Sequence, residues 1–214
     1  MLSLLLALWF VALPPLNPRQ TSATGARTDV LQTSMGELQI TPVHPNSLVL
    51  EWAALKIYVD PPPAAPGAVR PKADLVLLTG SGQMPSDLKK ASTQVVTEAM
   101  VRDGKTHTVT LPGSGLAQNV TVTGAGWGMV LDLGKRAIYI SGDTRCSPAE
   151  QALKNIQVAF VAIDPKLGTT PEMAAACVLK FAPEVVYPYY APDALAQQFA
   201  KDIGNKCDVR LREW

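Results

Sequence analysis

Short apolar runs separated by turn residues dominate the chain from Glu37 onwards, and their spacing predicts most of its elements. Leu38 to Ile40, Ser47 to Trp52 and Lys56 to Asp60 read as strands, the last two joined as a hairpin at Ala53-Ala54. Pro61 to Pro71 must be an extended loop, because proline lacks the N–H that a sheet ladder needs. Ala73 to Thr79 (ADLVLLT) shows no alternation, as expected of a strand buried on both faces, and Gly80-Ser81-Gly82 turns the chain after it. A short helix is predicted over Ser86 to Lys90. Further strands are predicted over Gln94 to Thr97, Thr106 to Leu111, Met129 to Leu133 and Ala137 to Ser141. In Thr106 to Leu111, His107, Val109 and Leu111 share one face, and Thr106, Thr108 and Thr110 the other.

The last third changes character. Strands at Val158 to Ala162, Val185 to Tyr189 and Asp208 to Leu211 alternate with helical segments, which argues an α/β fold. Ser147-Pro148-Ala149-Glu150 has the form of a capping box with proline at the first helical position. Thr170-Pro171 repeats the cap before Met173, Cys177 and Phe181, while Leu195, Phe199 and Ile203 recur every fourth residue before Gly204 ends the helix. Both stripes read as core faces.

Composition bounds the rest. A chain of 214 residues that is 47% hydrophobic can bury one substantial core. Lys+Arg at 19 against Asp+Glu at 18 gives no net field to draw in nucleic acid or an anionic membrane, so the expected partner is a small molecule or a protein. Leu2 to Leu13 is almost wholly apolar, is followed by Pro14-Pro15, and has the form of a signal-peptide core with Thr21-Ser22-Ala23 as a cleavage site. It falls short of the roughly 20 apolar residues a membrane-spanning helix needs. The expectation is therefore a leader or hydrophobic segment with a polar linker over 1–26, and one domain over 27–214. Such a chain is exported to the periplasm or the extracellular space, or stays membrane-anchored through residues 2–13 if uncleaved. Cys146, Cys177 and Cys207 show no CxxC pattern and read mostly as small core hydrophobes, at least one of them unpaired if the chain is exported. No Gly-x-Ser-x-Gly elbow is present. Gly80-Ser81-Gly82 is either a tight turn or a backbone nest for an anion. Gly124 to Gly128 precedes a strand, which excludes a dinucleotide fingerprint and leaves a flexible rim loop presenting Trp127.

Taken in order, EWAALKIYVDP, ADLVLLT, AIYISGDT, ALKNIQVAF, TTPEMAAACVLKFAPEVVYPYY and VRLREW resemble the lactonase-like branch of the metallo-β-lactamase superfamily, from about Ile40 to Trp214. The resemblance implies a four-layer αββα sandwich whose active site lies at one edge of two facing sheets. In that family the strand equivalent to ADLVLLT leads into a His-x-His-x-Asp-His loop that binds metal. Here the ligand positions read Gly80, Gly82, Met84 and Pro85, and the family's late histidine falls on Tyr190. Its middle histidine belongs between Leu111 and Trp127, where this chain has none. Asp143, in Gly142-Asp143-Thr144, is the one ligand position that keeps its carboxylate.

A catalytic zinc needs three protein ligands, so no cofactor is expected and Asp143 reads as a turn or helix cap ahead of Ser147. The expected protein is a pseudo-hydrolase that binds a small molecule or protein at a rim including Ser81, His44 and Trp127. The alternative is an active hydrolase of an ester, lactone or phosphoester. It would hold zinc or another divalent metal in a reduced or relocated site recruiting His44 or His107 with Asp143, Asp87 or Cys146. Specificity is expected in the loops Pro61 to Pro71 and Pro112 to Gly126.

Overall fold

The computed structural model describes residues 28–113, 116–142 and 146–214, so the apolar segment 2–13, the expected leader over 1–26 and Asp143 lie outside the described residues. The first half of the chain builds one sheet from β1 (Asp29–Thr33), β2 (Gly36–His44), β3 (Ser47–Trp52), β4 (Leu55–Val59), β5 (Leu75–Leu78) and β6 (Gln94–Thr97), in that order across the sheet. Pairing is antiparallel from β1 to β4 and parallel from β4 to β6. The predicted hairpin at Ala53-Ala54 is present, with both alanines at positive φ, as a two-residue turn between twisted strands requires.

One helical turn, α1 (Glu98–Val101), leads into the second sheet. Its elements are β7 (Thr106–Pro112), β8 (Ala117–Ala125), β9 (Gly128–Leu133), β10 (Arg136–Ile140), α2 (Pro148–Gln151), β11 (Val158–Ala162), α3 (Pro171–Phe181), β12 (Val185–Tyr189), α4 (Asp193–Ile203) and β13 (Asp208–Val209). The sheet runs β13-β12-β11-β10-β9-β8-β7, antiparallel over β7 to β10 and parallel from β10 to β13.

The sheets pack face to face. Alternate residues of the central strands enter the shared core: Leu75 and Leu77 from β5, Val120 and Val122 from β8, Val158 and Phe160 from β11. Each such side chain contributes about 1.5–3 kcal/mol when fully buried. Val76 and Leu78 of β5, and Ala159 and Val161 of β11, are buried on the opposite faces, which is why neither segment alternates in sequence. Over the second sheet lie α3 and α4, burying Ala174, Val178, Phe181, Phe199 and Ile203 against Ala159, Val161 and Val186. The outer face of the first sheet carries a thinner layer, in which Leu88 of the 3-10 turn Ser86–Leu88 and Met84 pack on Val49, Tyr58, Val76 and Leu78.

Two of the predicted helix ends form as expected: Thr170 Oγ1 accepts from the N–H of Met173, and Gly204 ends α4 with φ +63°. At α2 the Glu150 carboxylate accepts from the N–H of Ser147, while the Ser147 hydroxyl is buried without a partner.

Four expectations are corrected. Pro112 to Gly126 is largely strand, because Gln118, Val120 and Val122 alternate inward while Asn119, Thr121 and Thr123 face out opposite the threonines of β7. Gly124 to Gly128 is a hairpin end rather than a flexible loop: Ala125 pairs with Gly128, and Gly126-Trp127 is the two-residue turn between β8 and β9, with Gly126 at φ +62°. Met173 is exposed, since the buried face of α3 runs through Ala174, Ala175, Cys177, Val178 and Phe181. Cys146 and Cys177 are joined in a disulfide with Cα atoms 5.8 Å apart, leaving Cys207 as the free thiol.

One polar cluster ties the two ends of the described chain. Arg212 donates to both carboxylate oxygens of Asp29 at 2.9 and 2.7 Å, and the Tyr187 hydroxyl donates to Asp29 Oδ2 at 2.8 Å. Burial pushes the Tyr187 phenol far above its ordinary range, so it stays a donor. Trp214 closes this corner, its indole N–H on the carbonyl of Pro188 and its ring edge-on to Phe160 and Tyr189.

Candidate functional site

The parallel strands β5, β10, β11 and β12 all deliver their carboxyl ends to one edge of the sandwich, where open α/β sheets place ligands. There the loops enclose a cleft of about 560 Å³, a volume typical of small-molecule sites. Thr79 to Gln83 follow β5 and form one side. Asp60 and Pro61 to Pro63 follow β4 and form the wall beside it. Gly142, Ala162, Tyr189 and Tyr190 come from the ends of β10, β11 and β12, and His44 and Asn46 from the β2–β3 turn.

The proline wall is anchored from behind. Arg70 donates Nη1 to the carbonyl of Pro62 at 2.8 Å and grips both oxygens of Asp87 at 2.8 Å, which holds the Asp87 carboxyl below its ordinary range. Asp60 sits at φ +42° and accepts from the N–H of Thr79 at 2.8 Å and from its hydroxyl, fixing the mouth of β5 to that of β4.

Gly142 is where the two sheets meet at the cleft. A Cβ there would lie 2.8 Å from the carbonyl oxygen of Trp127 and 3.3 Å from that of Thr79, and φ is +54°, so only glycine fits. Tyr190 also lies in the left-handed region, at φ +51°, with its N–H on the carbonyl of Pro45 at 2.5 Å. For a bulky side chain that conformation costs on the order of 1–2 kcal/mol. Three cleft residues, Asp60, Gly142 and Tyr190, thus share positive φ, the kind of backbone that concentrates at functional sites.

Gly80, Gly82 and Tyr190, distant in sequence, line this one cleft, together with Ser81 and His44. Met84 and Pro85 do not line it: Met84 packs into the outer layer, and Pro85 precedes the 3-10 turn. Trp127 presents its carbonyl towards the Gly142 position, but its half-exposed ring lies against Arg102, 5.9 Å from the guanidinium. Arg102 is itself held by Glu98, whose carboxyl it depresses below the ordinary range through their hydrogen bonds.

Among the described residues, the donors named for a relocated metal site are not gathered. Cys146 is spent in the disulfide, Asp87 is gripped by Arg70, and His107 lies on the edge strand β7 away from the cleft lining. His44 remains at the cleft, with Nδ1 3.0 Å from Asn46 Oδ1. Among the described residues no three of His, Cys, Asp or Glu come together in a metal-binding group. Nor does Gly80-Ser81-Gly82 form an anion nest, because none of the three has the positive φ that such a concavity alternates.

Solved structures share this architecture. A protein from Parabacteroides distasonis assigned as a metal-dependent hydrolase superposes with a TM-score of 0.70 at 24% identity, over 88% of this chain and 99% of that one. One from Thermotoga maritima, assigned as a Zn-dependent hydrolase of the metallo-β-lactamase superfamily, gives 0.57 at 16% identity, over 81% of this chain and 97% of that one. The chain has the metallo-β-lactamase fold. Igni18, a metallo hydrolase from Ignicoccus hospitalis, extends the likeness with a TM-score of 0.60 at 17% identity, over 82% of this chain and 95% of that one. No family model and no curated protein matches the sequence. The metallo-β-lactamase fold thus rests on architecture: facing mixed sheets, helices outside, and a cleft at the strand ends.

Proposed function

We propose that this chain is a metallo-β-lactamase-fold binding protein, a pseudo-hydrolase depleted of its dinuclear metal centre, whose cleft takes up a small molecule. The observation that carries the reading is the convergence of Gly80, Gly82 and Tyr190 on one cleft without an imidazole among them. The donor chemistry supports it. Of the described lining side chains, His44 is engaged by Asn46 and the Asp60 carboxylate by Thr79, which does not make the three-ligand set a catalytic zinc requires. On this reading the protein works without a metal cofactor, its partner is not nucleic acid, and any membrane association runs only through residues 2–13. Export fits the Cys146–Cys177 disulfide, since such bonds persist in oxidising compartments, and fits the apolar run at 2–13.

One observation favours a second reading, an active metal-dependent hydrolase of an ester, lactone or phosphoester with a reduced site: His44 lines the same cleft as Gly142, the residue before Asp143. Turnover of a panel of those substrates, with and without added Zn, Mn or Fe, separates the two. The binding reading expects no metal-dependent turnover above the protein-free control. Turnover that is abolished by Asp143→Ala would establish the hydrolase.

A further inference from the structure

The cleft has a neighbour of equal size. A groove of about 570 Å³ is walled by Pro45, Pro165, Ala191, Pro192 and Leu195, with Asp164 and Lys166 supplying its charges. The same chain segments furnish both depressions. His44 and Asn46 line the cleft while Pro45 lines the groove, Leu167 lines the cleft while Pro165 and Lys166 line the groove, and Tyr190 lines both. What divides the two is therefore a ridge built on Tyr190, a residue held at φ +51° with its N–H on Pro45, inside the ridge itself.

Their chemistries differ. No lysine or arginine is among the described residues lining the cleft, where the Asp60 carboxylate disfavours an anionic group and Asn46, Ser81, Gln83 and Tyr190 offer neutral donors and acceptors. The groove offers mainly proline, alanine and leucine surface, suited to an apolar chain.

We infer that cleft and groove form one continuous site for an amphiphile. An uncharged head bearing hydroxyl or carbonyl groups occupies the cleft, and an unbranched apolar tail crosses Tyr190 into the groove. This deepens the binding reading above and rests on it.

The test is calorimetric titration of the tag-free protein with monoacylglycerols whose tails run from about four to ten carbons, kept below micelle formation. Affinity should rise roughly fourfold per added methylene, the value of about 0.8 kcal/mol per buried CH₂, until the groove is filled. Pro192→Asp should flatten that rise. It puts a carboxylate in the groove, and aspartate is a favoured residue at the helix cap Pro192 now occupies, so α4 is retained. Leu195→Glu, with a good helix former, should act the same way. A rise identical in wild type and both variants, or no binding at any tail length, overturns the joint site. Binding of the short ligands with no tail dependence also overturns it, yet leaves the cleft reading standing. Metal-dependent hydrolysis of the probes with the tail dependence intact supports the joint site and removes the metal-free reading instead.

Discussion

Breaking the Cys146–Cys177 disulfide should lower stability by an amount the chain length sets. The bond closes a loop of sequence separation 31. Loop-closure entropy for that length is on the order of 3–4 kcal/mol at room temperature. In a domain of this size 1 kcal/mol moves Tm by about 2–4 °C, so the expected loss is roughly 7–15 °C. The consequence is also local, because Cys146 lies four residues beyond Gly142 at the cleft, and Cys177 is buried in α3 against the second sheet. Reduction should therefore loosen the cleft edge formed by the end of β10 before it unfolds the sheets. The assay is thermal unfolding by circular dichroism of the oxidised protein, of protein held in a thiol reductant, and of Cys146→Ser/Cys177→Ser. Cys207→Ser serves as the control that should not move. A shift below about 2 °C in both reduced and double-variant protein would refute the entropic reasoning, which allows no such small value for this loop.

The other predictions concern the two polar clamps. Asp29→Asn should cost about 2–3 kcal/mol by denaturant titration, between the value of an exposed pair and that of a fully buried one, because Asp29 and Arg212 are 15% and 18% exposed; a loss below about 0.5 kcal/mol would show the clamp to be idle. Glu98, its folded pKa depressed by the Arg102 hydrogen bonds, contributes stability that is complete above the ordinary glutamate range and is lost as pH falls through it towards the lower folded value. Glu98→Gln should accordingly flatten the acid limb of the stability profile between pH 3 and 7 as followed by urea midpoints, and an unchanged limb would refute the assignment.

The legible parts of the fold were those where one physical cause acts locally. β5 and β11 announce burial on both faces as uninterrupted apolar runs, and the α2 and α3 caps are written in adjacent residues. β8 was illegible because Gln118 takes an inward position and Asn119, Thr121 and Thr123 dilute the outward face, so the alternation survives only in Val120 and Val122. β1 holds a single buried residue, Leu31, too little to show a period. The disulfide joins cysteines whose spacing carries no motif, and only the docking of α3 brings them together. The candidate site divides in the same way. Gly80, Gly82 and Tyr190 were placed by resemblance, whereas the proline wall held by Arg70 and the groove beyond Tyr190 are assembled from loops that only the topology makes neighbours.

The central claim, a metal-binding scaffold without its ligands, is tested most directly by elemental analysis of the tag-free mature protein after dialysis, with Gly80→His/Gly82→His/Tyr190→His measured alongside. A Cβ at Gly80 would meet nothing within 4 Å and one at Gly82 only Leu78 Cδ2 at 4.0 Å, so both positions accept the side chain. The account predicts less than about a tenth of an equivalent of Zn, Mn or Fe in the wild type and a clear gain in the triple variant. Near-stoichiometric metal in the wild type, lost on Asp143→Ala, would contradict it.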